Sequence, residues 1–291
     1  MRTAVVINPT KFPDLARQRE LICAAFAAAG GPDPLWWETS ADDPGGGQTR
    51  EAIAAGAEVV VACGGDGTIR ACADGLAETA VALSVLPAGT GNLLVSNLDL
   101  PSDVDLVVAA AIGGRRRRID LGCLEGEHFA VMAGIGFDAA MMESTRESWK
   151  QSLGWPAYLV GGVRRLFDRP MRVRLRLDGG PLIARTARTV LVANVGRLQG
   201  GIDLFGDARP DDGVLDVAVV KPRGPADWVA LAASILLRRP PRRRHLETFR
   251  ASTVDVRSRT VEPREMDGDT ILPGDRLMVS VRPRALWVCV P

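Results

Sequence analysis

Several signatures of common function classes are absent from this 291-residue sequence. Its five cysteines form no Cys-x-x-Cys pair and no zinc-ligand spacing, and its two histidines stand far apart. This pattern argues against a zinc centre, and we expect reduced, buried thiols in the cytosol. The formal net charge is only +1, so no overall field favours nucleic acid as a partner.

Long apolar runs are also lacking. The longest apolar run in the later part of the sequence, Trp228 to Leu237, is far shorter than the roughly 20 residues that a membrane-spanning helix needs. The first residues carry one arginine before the Ala4–Ile7 run, which predicts a first strand rather than a secretory signal. We therefore expect a cytoplasmic protein, with a peripheral position at the inner membrane surface as an open alternative.

The first third of the chain alternates short apolar runs with segments of helical periodicity. Strands are predicted at Ala4–Ile7, Leu35–Glu38, Val59–Ala62 and Val81–Leu86, and helices at Leu15–Ala29, Gln48–Ala55, Ile69–Leu76 and from Leu93. Nearly continuous apolar strands separated by helices indicate a parallel sheet covered on both faces. Ligands of such sheets bind beyond the carboxyl ends of the strands, where Asn8, Thr39 and two glycine-rich loops fall.

After Asp120 the pattern changes to alternation with a period of two, which is clearest in Arg172–Leu177. Further strands are predicted at Val190–Asn194, Leu215–Val220, Thr253–Val256 and Leu277–Val281, and helices at Asp138–Trp149 and Ala226–Leu237. We predict one domain of residues 1–120 and a second, mostly antiparallel β domain of residues 121–283. The last residues, 284–291, are a candidate strand of the first domain.

Two glycine-rich loops carry the clearest chemical signal, Gly64–Thr68 and Pro87–Asn92. Glycines let backbone N–H groups approach an anion, and the dipole of a following helix favours negative charge there. The first loop is not a Walker A motif, since no Gly-Lys-Ser/Thr follows it, and tight packing of strand against helix is the structural alternative. Two such loops in consecutive strand–helix units predict one nucleotide held in one crevice.

Seven short motifs occur along the chain in a characteristic order. They are Asn8-Pro9-Thr10, Gly64–Thr68, Pro87–Asn92, Gly134–Asp138, Asn194–Gly196 with Gly200-Gly201, Asp211–Asp216 and Met266–Asp269. In their order and spacing the sequence resembles the diacylglycerol kinase catalytic-domain family, especially its bacterial soluble lipid kinase branch. Sphingosine and ceramide kinases belong to the same superfamily, and NAD kinases are distant relatives.

The resemblance implies an α/β fold: an N-terminal Rossmann-like parallel-sheet nucleotide domain plus a C-terminal mostly antiparallel β-sandwich domain. It implies an ATP-dependent lipid kinase that transfers the γ-phosphate to a lipid hydroxyl, with a diacylglycerol-like or sphingoid acceptor. The residues that would contact ATP are Asn8, Pro9, Thr10, Thr39, Gly64, Gly65, Asp66, Gly67, Thr68, Gly89, Thr90 and Asn92.

The resemblance also assigns catalytic roles to two aspartates. Asp66 would orient Mg²⁺ or a nucleotide hydroxyl, with a turn-stabilising role as the alternative. Asp269 stands where the family has a glutamate that deprotonates the acceptor hydroxyl, and the shorter side chain keeps the carboxylate but loses one methylene of reach. Asp267-Gly268 is also a typical hairpin turn, and both interpretations of this string can hold together.

A metal site and a membrane contact complete the expectations. In the family, one aspartate and nearby carbonyls hold a structural Mg²⁺, which here would be Asp212 with the carbonyls of Arg209 and Val214, unless the segment is a solvated acidic turn. The apolar stretch before the basic run 238–244 would suit an anionic membrane surface, or else pack in the core beside a solvated loop.

Three functional hypotheses follow from these observations. The first is the lipid kinase, which we favour because of the Pro87–Asn92 loop and the Asp211–Asp216 segment. The second is a kinase of a soluble acceptor, such as an NAD kinase, since the Gly-Gly-Asp-Gly string is shared with that group. The third is a catalytically silent nucleotide-binding regulatory protein, for which only the aspartate at 269 argues. The oligomeric state stays open, with a dimer through a strand edge as one alternative.

Overall fold

The computed structural model describes residues 1–89, 91–136, 170–198, 202–205, 208–237 and 242–291. Its first part contains a parallel sheet formed by strands β1 (Thr3–Ile7), β2 (Leu35–Glu38), β3 (Val59–Gly64) and β4 (Ala82–Pro87). These strands lie in the order β2-β1-β3-β4. Ile7 lies opposite both Glu38 and Cys63, and Gly64 lies opposite Pro87, so the carboxyl ends of the strands form one edge.

Helices cover both faces of the parallel sheet. They are α1 (Leu15–Ala28), α2 (Gly46–Ala54), α3 (Asp66–Leu76), α4 (Leu93–Leu98) and α5 (Val104–Gly113). Every residue of β1 and β3 is buried, and alternate residues face opposite sides. Val5 packs in one core cluster with Phe26 of α1 and Val107 of α5, whereas Val6 packs in another with Ile69 of α3. Burial on both faces explains why these strands are apolar at nearly every position.

The second part of the chain is mostly antiparallel. Its elements are β5 (Arg115–Leu124), β6 (Glu127–Phe129), β7 (Met132–Gly136), β8 (Met171–Leu177), β9 (Ile183–Ala187), β10 (Thr189–Ala193), β11 (Arg197–Leu198), β12 (Ile202–Asp203), β13 (Leu215–Val220), α6 (Pro225–Leu236), β14 (Leu246–Ala251), β15 (Thr253–Met266) and β16 (Asp269–Val290). One row of strands runs β14-β13-β10-β7, and another runs β9-β8-β15.

Strand β15 belongs to both rows. Its first half pairs with β8, with Val256 opposite Leu175, and its last residues pair with β7, with Met266 opposite Ala133. Irregular register between Arg257 and Glu262 lets the strand pass from one row to the other. The inward side chains of both rows form one apolar cluster, as expected for a two-layered β structure.

Strand β16 connects the two parts of the molecule. It pairs antiparallel with β15 and β5, and near its end Trp287 and Val288 lie parallel to Ala82 and Leu83 of β4. One continuous strand therefore carries the sheet order from the antiparallel part into the parallel part. The position of the turn before β16 is consequently fixed relative to the carboxyl edge of the parallel sheet.

The predicted fold class is confirmed: parallel strands come first, and an antiparallel β-sandwich follows. Helix α5 was not expected from the sequence, whose apolar residues there are nearly continuous rather than periodic. The helix predicted at Asp138–Trp149 lies outside the described residues, as do Gly200 and Gly201. None of the helices in the described part of the chain has the length and hydropathy needed to cross a membrane.

Candidate active site

The first candidate residues lie at the carboxyl edge of the parallel sheet. Asn8 follows β1, and its backbone N–H donates to the carbonyl oxygen of Cys63 (2.8 Å) in β3. Its side chain caps the short 3₁₀ turn Pro9–Lys11 by accepting from the backbone N–H (3.1 Å) and Oγ1 (2.8 Å) of Thr10. The Asn8 amide also donates to Thr68 Oγ1 (3.4 Å), so the Asn-Pro-Thr string is tied directly to the first glycine loop.

The two glycine loops touch each other. The backbone N–H of Ala88 donates to the carbonyl oxygen of Gly64 (2.8 Å). A Cβ atom on Gly89 would lie 3.0 Å from the Cα of Gly65, and a Cβ atom on Gly64 would lie 2.6 Å from that of Thr68. These approaches leave no room for a side chain. The glycines are therefore required by close packing, and they bring two strand ends into a single cradle.

Asp66 joins the loops electrostatically. It is the first residue of α3, yet its two carboxylate oxygens accept from the backbone N–H groups of Asn92 (2.9 Å) and Leu93 (2.7 Å), where α4 begins. Burial raises the pKa of Asp66, the two backbone hydrogen bonds oppose that rise, and the charge of Asp269 adds to it. This aspartate thus holds the second loop against the first, and its expected role toward Mg²⁺ or the nucleotide stays a prediction.

Asn92 closes the second loop. It has a left-handed backbone (φ 45°), which asparagine adopts more readily than most residues, and its amide group both donates to the Gly89 carbonyl (2.8 Å) and accepts from the Gly89 N–H (3.3 Å). Thr90, which lies between them, falls outside the described residues. Thr39 is buried at the end of β2, and its backbone N–H donates to the Ile7 carbonyl (2.9 Å). The side chain of Asn92 thus helps Asp66 to hold the second loop in shape.

Asp269 lies over the beginning of helix α3. It follows a two-residue turn, Asp267 (φ 48°) and Gly268 (φ 85°), whose two positive φ values are typical of a type I′ hairpin. The position that a Cβ atom on Gly67 would take is only 2.9 Å from Asp269 Oδ2, and Arg70 Nη2 is 3.6 Å from the same oxygen. The structure therefore brings the expected base next to the first glycine loop, although 200 residues separate them in the sequence.

Asp267 fixes the turn that carries Asp269. Its buried carboxylate accepts from three successive backbone N–H groups, those of Ala130, Val131 and Met132, each at 2.9 Å. Burial raises the pKa of Asp267 to about 6, against the three hydrogen bonds and the charge of Arg70, which lower it. The turn is thereby attached to the start of β7.

A second buried carboxylate supports the same turn. Glu265 is fully buried, and its Oε2 accepts from the backbone N–H of Gly268 (3.0 Å). Because both carboxylates bond to backbone groups of the turn or of the strand beside it, the turn has little freedom to move. A rigid turn suits a general base, which must stay within hydrogen-bonding distance of the proton it removes.

Some residues of this site were not identified from the sequence. Arg70 lies one helical turn after Asp66, and its guanidinium contacts Asp269 and Glu127 (3.5 Å). Lys11 places its Cε 3.7 Å from the position of a Cβ atom on Gly65. The spacing of four between Asp66 and Arg70 on a predicted helix was the available signal for the arginine, since such residues share a helix face. The two cations and the start of α3 give the cradle the charge that an anionic phosphate group needs.

The proposed metal residues have a different environment. The Asp212 carboxylate pairs with Arg250 and also accepts from the backbone N–H of Val214 (3.3 Å), while Arg209 is exposed. Within the described residues, no three His, Cys, Asp or Glu side chains cluster as metal ligands. The guanidinium of Arg250 pairs with Asp212, the single carboxylate of this set, and its positive charge opposes the binding of Mg²⁺ there. The geometry therefore does not favour the structural Mg²⁺, which stays a prediction.

The apolar stretch before the basic run forms helix α6. Leu231 is 5% exposed and Trp228 packs against the main core cluster, whereas Val229 and Leu237 are 70% and 60% exposed. Residues 238–241 of the basic run lie outside the described residues. The packing of Trp228 and Leu231 agrees with the core-packed alternative, and the membrane contact stays a prediction.

Comparison with protein families agrees with these motifs. The model of the diacylglycerol kinase catalytic domain matches residues 37–124. The model of the YegS C-terminal NAD kinase beta sandwich-like domain matches residues 130–290. Together the two models cover the glycine loops, the Asp267–Gly268 turn and Asp269. This order of domains is the one expected from the sequence.

Individual relatives extend the similarity over most of the chain. The protein named "Probable lipid kinase YegS-like" from Pseudomonas syringae pv. syringae (strain B728a) is 32% identical over 244 residues, or 83% of this chain and 78% of the relative. The "Diacylglycerol kinase" of Bacillus subtilis (strain 168) is 28% identical over 282 residues, or 94% of this chain and 92% of the relative.

Solved structures share the fold. The crystal structure of a diacylglycerol kinase from Bacillus anthracis str. Sterne has a TM-score of 0.73 at 19% identity and covers all of this chain, with 97% of its own length matched. An NAD kinase from Archaeoglobus fulgidus, solved in complex with ATP, has a TM-score of 0.56 at 13% identity, with 99% of this chain and 93% of its own length matched. At these identities the likeness concerns the fold alone.

Proposed function

Since this chain belongs to the lipid kinase family that joins a diacylglycerol kinase catalytic domain to a YegS-type C-terminal domain, we propose that it transfers the γ-phosphate of ATP to the hydroxyl group of a lipid. One observation carries the proposal: the carboxylate of Asp269 lies against Gly67, at the start of helix α3 and beside two glycine loops in contact. A candidate base and a candidate phosphate cradle therefore face the same small volume.

ATP would bind with its phosphates at the two loops. The backbone N–H groups at the start of α3 lack partners within the helix, and the helix dipole favours negative charge at that end. Gly65 and Gly89 allow an anion to approach the backbone closely, and Lys11 adds a positive charge beside Gly65. Mg²⁺ would enter with ATP as part of the substrate, where it neutralises phosphate charge.

Asp269 would act on the acceptor. The lipid hydroxyl loses its proton to the Asp269 carboxylate as its oxygen forms a bond to the γ-phosphorus. The bond from that phosphorus to the β,γ-bridging oxygen breaks at the same time, and ADP leaves. Most of the catalytic effect in such a transfer comes from positioning and charge stabilisation, which here would involve the loop amides and Arg70.

Asp66 would contribute mainly by holding the two loops together. Its carboxylate satisfies two backbone N–H groups at the start of α4. An alanine at this position would leave both groups without their acceptor, at a cost of about 1–3 kcal/mol each if they stay buried. We expect Asp66→Ala to be inactive because the second loop would no longer be held against the first.

The test is phosphate transfer from γ-labelled Mg²⁺–ATP to acceptors in mixed micelles. Diacylglycerol, a sphingoid base, ceramide, a total lipid extract and, separately, soluble NAD would each be offered to the unmutated protein and to Asp269→Asn. We expect a labelled lipid from the unmutated protein and a loss of about 10²–10⁴-fold in the variant, the usual contribution of a general base.

Other results would redirect the proposal. Labelled NADP without any labelled lipid would assign a soluble acceptor, as in the NAD kinases that share the fold. ATP binding without transfer to any acceptor would assign a regulatory protein. Full activity of Asp269→Asn would leave the kinase in place and remove Asp269 as the base.

A further inference from the structure

A second concave surface lies on the β-rich part of the chain. It encloses about 980 Å³ between β8, β9, residues 221–227 and residues 257–259 of β15. None of its lining residues belongs to the candidate active site. Eight arginine or lysine side chains line it, against the single carboxylate of Asp227. A concave surface with such an excess of one charge concentrates the opposite charge. We call it the arginine cavity.

Part of the positive charge in the arginine cavity is already neutralised. Arg185 and Lys221 both pair with Glu247, at 2.7 and 2.8 Å, and Arg257 pairs with Asp255 at 3.2 Å. The remaining guanidinium groups form no ion pair with any carboxylate in the described part of the chain; these are Arg172, Arg174, Arg223, Arg259 and Arg244, of which Arg244 donates from its Nε to His245 Nε2 (2.8 Å). Four of these cations, all but Arg244, therefore face a cavity whose single carboxylate, that of Asp227, contacts His245.

The strand register places like charges of the cavity opposite each other. Arg174 of β8 lies directly opposite Arg257 of β15, and Arg172 lies opposite Thr186 of β9. Like charges directly opposite each other on neighbouring strands destabilise a sheet. An anion bound between them would remove the part of that repulsion that the pairing of Arg257 with Asp255 leaves. The sequence alternation that buries Val173 on one face of β8 thus places its arginines together on the other.

The arginine cavity is separate from the candidate active site. Strand β7 begins at Met132, whose carbonyl oxygen accepts from the Asp267 N–H (2.8 Å). It ends at Gly136, where a Cβ atom would lie 2.5 Å from the carbonyl oxygen of Arg188. The Nε of Arg188 in turn donates to the carbonyl oxygen of Pro222 (3.1 Å), which lines the cavity. The two sites therefore lie toward opposite ends of β7, and a five-residue strand spans roughly 15 Å.

We propose that the arginine cavity binds a phosphate-bearing anion, held by Arg172, Arg174, Arg223 and Arg259. A guanidinium group presents paired N–H donors that match the oxygen atoms of a phosphate, and charge-assisted bonds of this kind are the strong ones. The hydroxyl of Thr186 provides a further donor at the wall. The volume matches small-ligand pockets, which are about 300–1,000 Å³. The phosphate belongs either to a soluble molecule or to a lipid headgroup.

The test compares two arginines on the same strand. Arg174 lines the cavity, whereas Arg176, two residues later on the same exposed face of β8, does not. The variants Arg174→Gln and Arg176→Gln remove the same charge from the same strand. Each would be titrated with inorganic pyrophosphate by calorimetry, and each would be tested for binding to phosphatidylcholine vesicles with and without phosphatidylglycerol. Any pyrophosphate bound at the glycine loops is common to both variants and cancels in the comparison.

We expect Arg174→Gln to weaken pyrophosphate binding by about tenfold or more, the loss expected for one charge-assisted hydrogen bond, and Arg176→Gln to change it little. If phosphatidylglycerol-dependent vesicle binding also falls, or falls alone, in Arg174→Gln, the phosphate is that of a lipid headgroup. If only pyrophosphate binding falls, the ligand is soluble. Equal losses in the two variants, or no loss in either assay, would overturn the proposal. Arg174 is exposed, and thermal unfolding should show that both variants fold.

Discussion

The two sides of the candidate active site are held together in different ways. On the nucleotide side, glycine loops pack backbone against backbone, and Asp66 accepts from N–H groups only 26 and 27 positions away. On the acceptor side, the Asp267–Gly268 turn is fixed by buried carboxylates that bond across as many as 137 positions. The nucleotide side depends on small residues at local spacing, and the acceptor side on long-range register.

This difference predicts different kinds of sensitivity. Added volume should damage the nucleotide side, because no space separates its loops. Lost or altered charge should damage the acceptor side, because carboxylates hold its turn in place. The substitutions below test that contrast, beginning with the largest expected effect.

Gly89→Ala should have the largest effect. Its Cβ atom would lie 3.0 Å from the Cα of Gly65. Because that Cα is a backbone atom, the close contact can be relieved only if the loop moves. We expect the free energy of unfolding to fall by about 1–3 kcal/mol and ATP affinity by about tenfold or more. Denaturant unfolding and ATP titration would measure both. Gly113→Ala is the matched control, since its Cβ atom would meet nothing within 4 Å; equal losses in the two variants would refute contact between the loops as the cause.

Asp267→Asn should change how stability depends on pH. The folded-state pKa of about 6 lies above the ordinary 3.8, so the stabilisation by the protonated carboxyl is complete below pH 3.8 and is lost as the pH rises through about 6. A rise of the pKa from 3.8 to about 6 corresponds to a loss on the order of 3 kcal/mol, which the asparagine variant cannot undergo. As the pH rises from 4 to 7, the unmutated protein should therefore lose stability that Asp267→Asn retains.

Urea unfolding at both pH values measures this difference. Asp178→Asn provides a control that should not respond in this pH range, because hydrogen bonds from Ser252 and Thr253 lower the pKa of Asp178. Its contribution is present above the ordinary pKa of 3.8 and is lost only as the pH falls below that value, so the stability of Asp178→Asn relative to the unmutated protein should stay nearly constant between pH 4 and pH 7. Parallel pH profiles for unmutated protein and Asp267→Asn would show that Asp267 does not titrate as its burial requires.

Asp269→Glu tests whether the acceptor side tolerates a carboxylate on a longer side chain. The substitution keeps the carboxylate and adds one methylene beside Gly67. We expect turnover within about tenfold of the unmutated protein, against the far larger loss in Asp269→Asn, because proton transfer needs the carboxylate at hydrogen-bonding distance. Steady-state rates with the acceptor found for the unmutated protein would measure it. Equal inactivity of both variants would show that the position, rather than the carboxylate, matters.

Arg250→Gln should have the smallest effect. It removes the partner of Asp212, and an ion pair this exposed contributes about 1 kcal/mol or less. With the arginine gone, Mg²⁺ should raise the unfolding temperature of the variant, whereas the unmutated protein should not respond in the absence of ATP. A clear response of the unmutated protein to Mg²⁺ would establish the structural metal site at Asp212 despite the arginine.

The nucleotide side of the site could be predicted from the sequence because its signals are local. An apolar strand, a glycine loop and a helix follow one another within about 20 residues, and parallel strands bring their carboxyl ends to one edge. Asn8, Gly64 and Gly89 were recognised in this way, and the structure places them together. On the acceptor side, the sequence identified only Asp269, through the Asp-Gly turn before it and the family resemblance.

The environment of Asp269 could not be predicted, because it depends on which strands become neighbours. Arg70 contacts it only because β16 begins over α3, and Asp267 is buried only because β15 ends beside β7. The arginine cavity has the same origin. The alternation in β8 predicts a row of exposed arginines, but their convergence with residues 221–227 and 257–259 arises from the pairing of distant strands.

The sequence alone determined the alternation of strands and helices in the first third of the chain, the change to a mostly antiparallel β pattern after it, the two glycine loops and the family to which the chain belongs, because these follow from periodicity and local motifs. The tertiary structure decided that Asp66 holds one loop against the other, that buried carboxylates fix the turn before Asp269, and that arginines with no carboxylate partner among the described residues line a cavity at the other end of β7. The physical reason is that burial and charge pairing depend on contacts between residues far apart in the chain, which no local pattern records.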